Sequence, residues 1–230
     1  MKPILFNTEM VRATQAGDKT VTRRLIRPQF PTYQDREPGR FSKIEPYGRA
    51  SFIATHEEKP SMRTIINPPY LPGDILYVRE KFAYDGFDGH EDIYVYWADV
   101  DDCDRVVWGD LEESEWAPSS DYHWHPSIHM PKEAARLFLR VTGVRVERLQ
   151  EITFEQALKE GITRDAIEAR ISPGSSAPHW VFHEVAKRCF AALWDSTVKP
   201  EKRGTYGWAA NPWVWVIEFE RCEKPKEGNV

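Results

Sequence analysis

The chain is poor in cysteine and has no long apolar run. Its 230 residues include three cysteines, Cys103, Cys189 and Cys222, which lie far apart and form no CxxC pair. This odd, scattered set excludes a disulfide framework and is typical of reduced thiols in the cytosol. No stretch has the length of a signal peptide's apolar region or of a membrane span. We therefore expect a cytoplasmic protein with no membrane partner.

An excess of positive charge is also absent. The formal net charge of -5 argues against a protein that coats nucleic acid by charge alone. The acidic residues concentrate between residues 85 and 121. Basic residues concentrate instead near the start of the chain, at Arg12, Lys19, Arg23, Arg24 and Arg27. A local basic surface is therefore expected on a protein whose overall charge is negative.

Internal repeats and a βαβαβ alternation are missing as well, which excludes a doubly wound fold. The hydrophobic pattern predicts strands near 75–80, 93–98, 137–148 and 213–220, and helices at Thr8–Ala16, Thr153–Glu160 and Pro178–Thr197. Residues 28–72 are rich in proline and show little periodicity, so they are predicted to be irregular. We expect a single α+β domain over residues 1–230. It would be a mixed β-barrel with peripheral helices and long loop insertions near 28–70 and 99–121.

A short segment rich in polar and charged residues, Gly17–Arg24, follows the first predicted helix. Gly17 is typical of the left-handed residue that ends a helix, and the residues after it favour an extended strand. In a strand Thr20, Thr22 and Arg24 share one face, whereas Val21 and Arg23 share the other. Lys19 lies at the helix-to-strand junction and can reach either face. Such a segment is either a solvated strand edge or a site that holds an anionic, hydrogen-bonding ligand.

Four motifs occur along the chain in a fixed order. They are the Gly17-x-Lys-Thr-x-Thr-x-Arg24 run, the Pro72-Gly-Asp74 turn before a strand, the Leu149-x-x-Ile-Thr153 helix opening and the Val216-Ile-Glu-Phe219 strand. In this order they resemble the ASCH domain, a relative of the PUA domain. The longer form, with His125–Pro131 and Asn211–Trp215, resembles the phage and prophage members of that family.

The resemblance implies a PUA-like barrel whose partner is RNA or a modified nucleoside, with DNA as an alternative. Some small members of the family hydrolyse the acetyl amide of N4-acetylcytidine with a lysine, a threonine three residues later and a glutamate from a later helix. The matching positions here are Lys19, Thr22 and Glu160. Other members are described as ribonucleases. A third alternative is a reader of RNA or of modified bases that performs no chemistry.

The chemistry of these three residues can also be judged without the family. A threonine hydroxyl becomes a nucleophile when a base takes its proton, and Lys19 can be that base if burial beside Arg23 and Arg24 lowers its pKa. Glu160 would then move a proton or orient the leaving amine. Glu160 can equally be a solvated surface carboxylate in the last turn of its helix.

Further candidates lie elsewhere in the chain. We expect the ligand-binding set to be Thr20, Arg23, Arg24, Arg79, Glu80, Ser127 and Trp208. His123, His125 and His129 lack a clear fourth ligand, and Pro126 interrupts any helix that would align them, so we expect no metal. No cofactor is expected, and the sequence does not predict the oligomeric state.

Overall fold

The computed structural model describes residues 1–27, 41–47, 51–56, 63–87, 89–100, 122–171 and 178–225. Its strands are β1 (Lys2–Leu5), β2 (Val21–Leu25), β3 (Phe41–Tyr47), β4 (Ser51–His56), β5 (Arg63–Ile66), β6 (Ile75–Arg79), β7 (Phe82–Phe87), β8 (Asp92–Tyr96), β9 (Phe138–Arg148) and β10 (Trp213–Cys222). Its α-helices are α1 (Thr8–Ala16), α2 (Phe154–Lys159), α3 (Arg164–Glu168), α4 (His179–Thr197) and α5 (Arg203–Tyr206).

The strands form three sheets, the largest of which has the order β1-β6-β9-β10-β2. In that sheet β1 runs parallel to β6, whereas β6–β9 and β10–β2 are antiparallel. The α+β class is therefore confirmed. Within the described residues β1 and β2 are the two edges of this mixed sheet and do not pair, so no closed barrel is present there. Among the same residues no helix combines the length and apolarity needed to cross a membrane.

The chain divides into two compact units. The first contains Met1–Gly17, Ile75–Arg140 and Arg221–Val230, and the second contains Asp18–Asp74 and Val141–Glu220. In the first unit the core gathers Tyr77, Phe82, Met130, Ala134, Ala135 and Phe138. In the second unit, Val21, Val214 and Val216 of the sheet pack in one core with residues of α2, α3 and α4.

The cap residues explain why several predicted helices form where they do. Helix α1 begins where the Asn7 Oδ1 atom accepts a hydrogen bond from Met10 N at 2.9 Å, and it ends at Gly17, whose φ is 87°. Helix α2 begins at Thr153, whose side chain and that of Gln156 form a reciprocal capping box. These boundaries, and the span of α4, confirm the predicted helices.

Two structural predictions were wrong. Residues 28–72 are not irregular throughout, because β3, β4 and β5 form an antiparallel sheet there. Pro46 is accommodated because β3 is an edge strand, whose outer amides need no partner. The strand expected at 93–98 ends at Tyr96, and a 3-10 turn follows at Trp97–Asp99. The remainder of the two expected insertions lies largely outside the described residues.

Candidate functional site

The Lys19 ammonium lies inside the second unit and is enclosed by oxygen atoms. The residue is only 2 % exposed. Its Nζ atom donates to Glu160 Oε2 at 2.8 Å, to the Glu160 backbone oxygen at 2.8 Å and to the Val21 backbone oxygen at 2.9 Å. Three oxygen acceptors match the three protons of an ammonium group. The hydrogen bonds therefore satisfy the charged form of the lysine.

Backbone hydrogen bonds hold the Lys19 segment against α2 and β10. Thr20 N donates to the Lys159 backbone oxygen at 2.9 Å, and the Thr20 backbone oxygen accepts from Phe219 N at 2.9 Å. Lys19 is thereby placed beside the carboxyl end of α2, where Glu160 is the C-cap residue. The short loop before β2 thus determines which side of the strand the lysine reaches.

The Glu160 carboxylate joins two buried cations. Its Oε2 atom accepts from Lys19, and its Oε1 atom accepts from Arg23 Nη1 at 3.0 Å. Arg23 Nη2 also donates to Glu147 Oε2 at 2.9 Å and to Gln156 Oε1 at 2.7 Å. The two cations thus face two carboxylates, which is the balance that buried charge requires. We call Lys19, Arg23, Glu147, Gln156 and Glu160 the ion cluster.

Helix α2 supplies two of the Arg23 partners because of their spacing. Gln156 and Glu160 are four residues apart and therefore lie on one face of the helix. The Gln156 Oε1 atom also accepts from Thr153 N at 3.0 Å, which closes the capping box. The same Gln156 oxygen therefore caps the start of the helix and binds the Arg23 guanidinium. Sequence reasoning missed Gln156 and Glu147, although a buried arginine in a strand requires partners of their type.

Burial governs the electrostatics of the ion cluster. Removal of the ammonium from water lowers the pKa of Lys19. The Glu160 carboxylate opposes this shift of the pKa, whereas the nearby charges of Arg24 and Arg23 add to it. The lysine consequently gives up its proton more readily than an exposed lysine does. The cluster therefore combines a hydrogen-bonded lysine with a lowered pKa and a carboxylate in direct contact with it.

Thr22 and Arg24 lie on the other face of β2 from Val21 and Arg23, as strand alternation dictates. Thr22 is only 2 % exposed. Arg24 is half-buried and interacts electrostatically with Tyr70. Burial raises the pKa of the Tyr70 phenol, and the Arg24 charge opposes that rise. The Thr22 hydroxyl and the Arg24 guanidinium therefore share the face of β2 opposite the one on which Val21 lies.

Three predicted ligand-binding residues lie in the first unit. Arg79 Nη1 donates to the Ile128 backbone oxygen at 3.3 Å, next to Ser127, and Glu80 N approaches Met130 Sδ at 3.2 Å. Both residues at the end of β6 therefore contact the turn that contains Ser127. The structure brings these residues together in the first unit, and it brings Lys19, Thr20, Arg23 and Glu160 together in the second.

The Glu80 carboxylate is bound by an arginine. Glu80 is 1 % exposed, and Arg136 Nε and Nη2 donate to its two oxygens, each at 3.0 Å. Burial nevertheless raises the pKa of Glu80, although the Arg136 hydrogen bonds and charge oppose the rise. This paired geometry is a fork-to-fork arginine–carboxylate contact. Its hydrogen bonds join the residue after β6 to Arg136, which lies just before β9.

Trp208 packs against the core of the second unit. Its ring meets the Phe190 ring edge-on, with 6.1 Å between the centroids. Its backbone nitrogen donates to Asp195 Oδ1 at 2.8 Å, and its backbone oxygen accepts from Gln150 Nε2 at 2.8 Å. These contacts fix the chain around Trp208 to the core of the second unit. Trp208 is nevertheless partly exposed.

The histidines make aromatic and backbone contacts. His125 pairs with Phe82 in an isolated β-bridge, and their rings stack at 5.4 Å. His123 and His125 meet edge-on at 4.7 Å. Within the described ranges no group of three or more histidine, cysteine, aspartate or glutamate residues is arranged to hold a metal ion. Cys103 lies outside those ranges.

The chain was compared with family models, curated proteins and solved structures, and none of them matches it.

Proposed function

We propose that the chain is an ASCH-type protein with a PUA-like fold. It would bind RNA or a modified nucleoside and hydrolyse the amide of an N4-acylated cytosine with Lys19, Thr22 and Glu160. The observation that supports the proposal is the 2.8 Å contact between Lys19 Nζ and Glu160 Oε2. The two residues are 141 positions apart, and the family resemblance pairs them independently of any geometry. A solvated surface carboxylate, the other interpretation of Glu160, is excluded because the residue is buried.

The proposed chemistry begins with Lys19 in its neutral form, which the lowered pKa of Lys19 favours. The proposal requires the Thr22 hydroxyl to reach Lys19 Nζ, to which it transfers its proton as its oxygen forms a bond with the acyl carbon. The amide C–N bond breaks, and the departing N4 amine takes from Lys19 Nζ the proton that came from Thr22, while the Glu160 carboxylate orients Lys19. Water then hydrolyses the threonine ester, which releases the carboxylic acid and restores the Thr22 hydroxyl. Arg23 is a positioning residue that holds the Glu160 carboxylate.

The test is release of acetate from N4-acetylcytidine by the full chain and by two matched variants. Thr22→Val keeps the shape and β-branching of the side chain but removes the hydroxyl, whereas Thr22→Ser keeps a hydroxyl. We expect Thr22→Val to abolish turnover and Thr22→Ser to retain part of it, because the nucleophile is lost in one variant alone. Thermal melts of both variants check that the fold survives. Full activity of Thr22→Val would overturn the nucleophilic role of Thr22.

A reader without catalytic activity is the second candidate, and one observation favours it. The three acceptors around Lys19 Nζ satisfy an ammonium completely, so the charged lysine has a structural role that needs no reaction. A reader would bind the acylated nucleoside and release it unchanged. Calorimetric binding of N4-acetylcytidine with no acetate released over long incubation would favour this candidate over the hydrolase.

A further inference from the structure

The second unit contains a pocket of about 500 Å³ beside β2 and the end of α4. This volume lies within the range of pockets that hold small ligands. Every charged residue that lines it is a cation, namely Arg23, Arg24, Arg27, Lys199 and Lys202. No carboxylate of the described residues lines the pocket. The concentration of one charge sign is notable in a chain whose net charge is -5.

Most of the positive charge at this pocket is not neutralised within the described ranges. Arg23 is paired with Glu147 and Glu160, so it contributes little net charge. Lys199 and Lys202, in contrast, are exposed and form no ion pair with any described carboxylate. Arg27 is also exposed, and its guanidinium lies over the Tyr206 ring at 5.4 Å from the centroid. The pocket therefore presents several cations to an incoming anion.

The end of α4 would repel an anion if its last carbonyl oxygens were left without partners. Arg203 prevents this. Its Nη2 atom donates to the Asp195 backbone oxygen at 3.0 Å, and its Nε atom donates to the Val198 backbone oxygen at 3.4 Å. The guanidinium thus offsets the negative end of the helix dipole next to the pocket. Thr197 and Val198 can line an anion site for this reason.

We infer that this pocket binds the phosphate groups of single-stranded RNA. Guanidinium groups bind phosphate oxygens in pairs, and lysines add charge without a fixed direction. The Arg27–Tyr206 pair supplies a flat surface of the kind on which unpaired bases stack. The inference takes the nucleic-acid nature of the ligand from the proposed function. It adds that the ligand is a polynucleotide strand, in addition to any nucleoside held near Lys19.

The experiment measures the fluorescence anisotropy of a labelled oligouridylate of about ten nucleotides, a length typical of single-strand sites. The pocket variant is Lys199→Ala with Lys202→Ala in the full chain. The matched control is Arg188→Ala with Lys224→Ala, which removes the same charge from two exposed residues outside the pocket. We expect the pocket variant to weaken binding at least tenfold. The control should change the Kd less than about twofold, because neither residue lines the pocket and exposed charges are screened by salt.

Salt dependence gives a second readout. The logarithm of the binding constant falls against the logarithm of salt concentration with a slope of about 0.7 per phosphate neutralised on a single strand. Loss of two lysines should therefore reduce the slope by about 1.4. Equal losses in the pocket variant and the control would overturn the inference. Competition by polyglutamate as strong as that by unlabelled RNA would also overturn it, because the site would then recognise an acidic chain.

The failure of this inference can be told apart from the failure of the proposed function. Acetate release from N4-acetylcytidine without RNA binding would overturn the phosphate pocket and leave the hydrolase proposal intact. RNA binding that depends on Lys199 and Lys202, in a protein that releases no acetate, would support the pocket and reject the hydrolase. Thr22→Val serves as an internal check, since it removes the proposed nucleophile and leaves the lysines in place.

Discussion

Replacement of Glu160 by glutamine is the most direct test of the ion cluster. The variant keeps the size of the side chain but removes the negative charge that Lys19 and Arg23 share. Arg23 retains Glu147, whereas Lys19 loses the carboxylate that accepts its 2.8 Å hydrogen bond. Loss of one partner from a buried ion pair costs about 3–5 kcal/mol. For a chain of this length we therefore expect Tm to fall by about 6–20 °C at neutral pH.

The loss of folding stability caused by Glu160→Gln should depend on pH. The Glu160 charge opposes the burial that lowers the pKa of Lys19, so its removal lowers that pKa further. Between the folded pKa and the ordinary pKa of lysine, the unfolded chain then binds more protons than the folded one. The free energy of unfolding therefore rises with pH over this range. The stability gap between wild type and variant should narrow as the pH is raised from about 7 to about 10.

Urea denaturation followed by tryptophan fluorescence measures both effects. Glu155→Gln on the same helix is the matched control, because Glu155 is exposed and lies outside the ion cluster. Adding Lys19→Met to Glu160→Gln removes the unpaired cation, so the double variant should be more stable than Glu160→Gln alone. Two results together would refute the charge-based explanation. The stability losses of Lys19→Met and Glu160→Gln would simply add in the double variant, and the stability difference between wild type and Glu160→Gln would stay constant across pH.

Three further predictions concern other residues. Arg136→Met should destabilise the protein by about 3–5 kcal/mol and raise the pKa of Glu80 further. The stability that the variant loses relative to wild type should therefore grow as the pH rises above the ordinary carboxylate range, and urea denaturation between about pH 5 and about pH 8 measures this. Burial raises the pKa of Tyr96 to about 12. The difference between the ultraviolet titrations of wild type and Tyr96→Phe should therefore show a phenol that ionises above the ordinary range of tyrosine. Asn211 has a φ of 45°, so Asn211→Ala should be less stable than Asn211→Gly by about 1 kcal/mol in the same urea assay.

Local signals made much of the secondary structure predictable. Asn7 and Gly17 bound α1 through a side-chain cap and a left-handed residue, and Thr153 with Gln156 forms the box that begins α2. These features depend on residues within a few positions of each other. The sheet of β3, β4 and β5 was missed because the prolines of that region obscured its short alternating runs. An edge strand tolerates a proline, and sequence alone does not identify which strand is an edge.

The ion cluster was predictable in part. Lys19 and Glu160 were predicted through the family resemblance, and Arg23 and Thr20 were assigned to ligand binding. The side chain of Arg23 instead binds Glu160, Glu147 and Gln156. Glu147 could not be predicted, because it joins the cluster from β9 through tertiary packing.

The distance along the chain between Lys19 and Glu160 has a consequence for synthesis. The lysine emerges from the ribosome 141 residues before its carboxylate partner. At translation rates of about 5–20 residues per second, this delay is about 7–28 s. Strand β2 must wait longer still, since its sheet neighbour β10 follows Glu160 along the chain. Until those later segments are made, the nascent chain carries Lys19 without Glu160 and β2 without β10, so the ion cluster and this edge of the sheet form only after β10 has been synthesised.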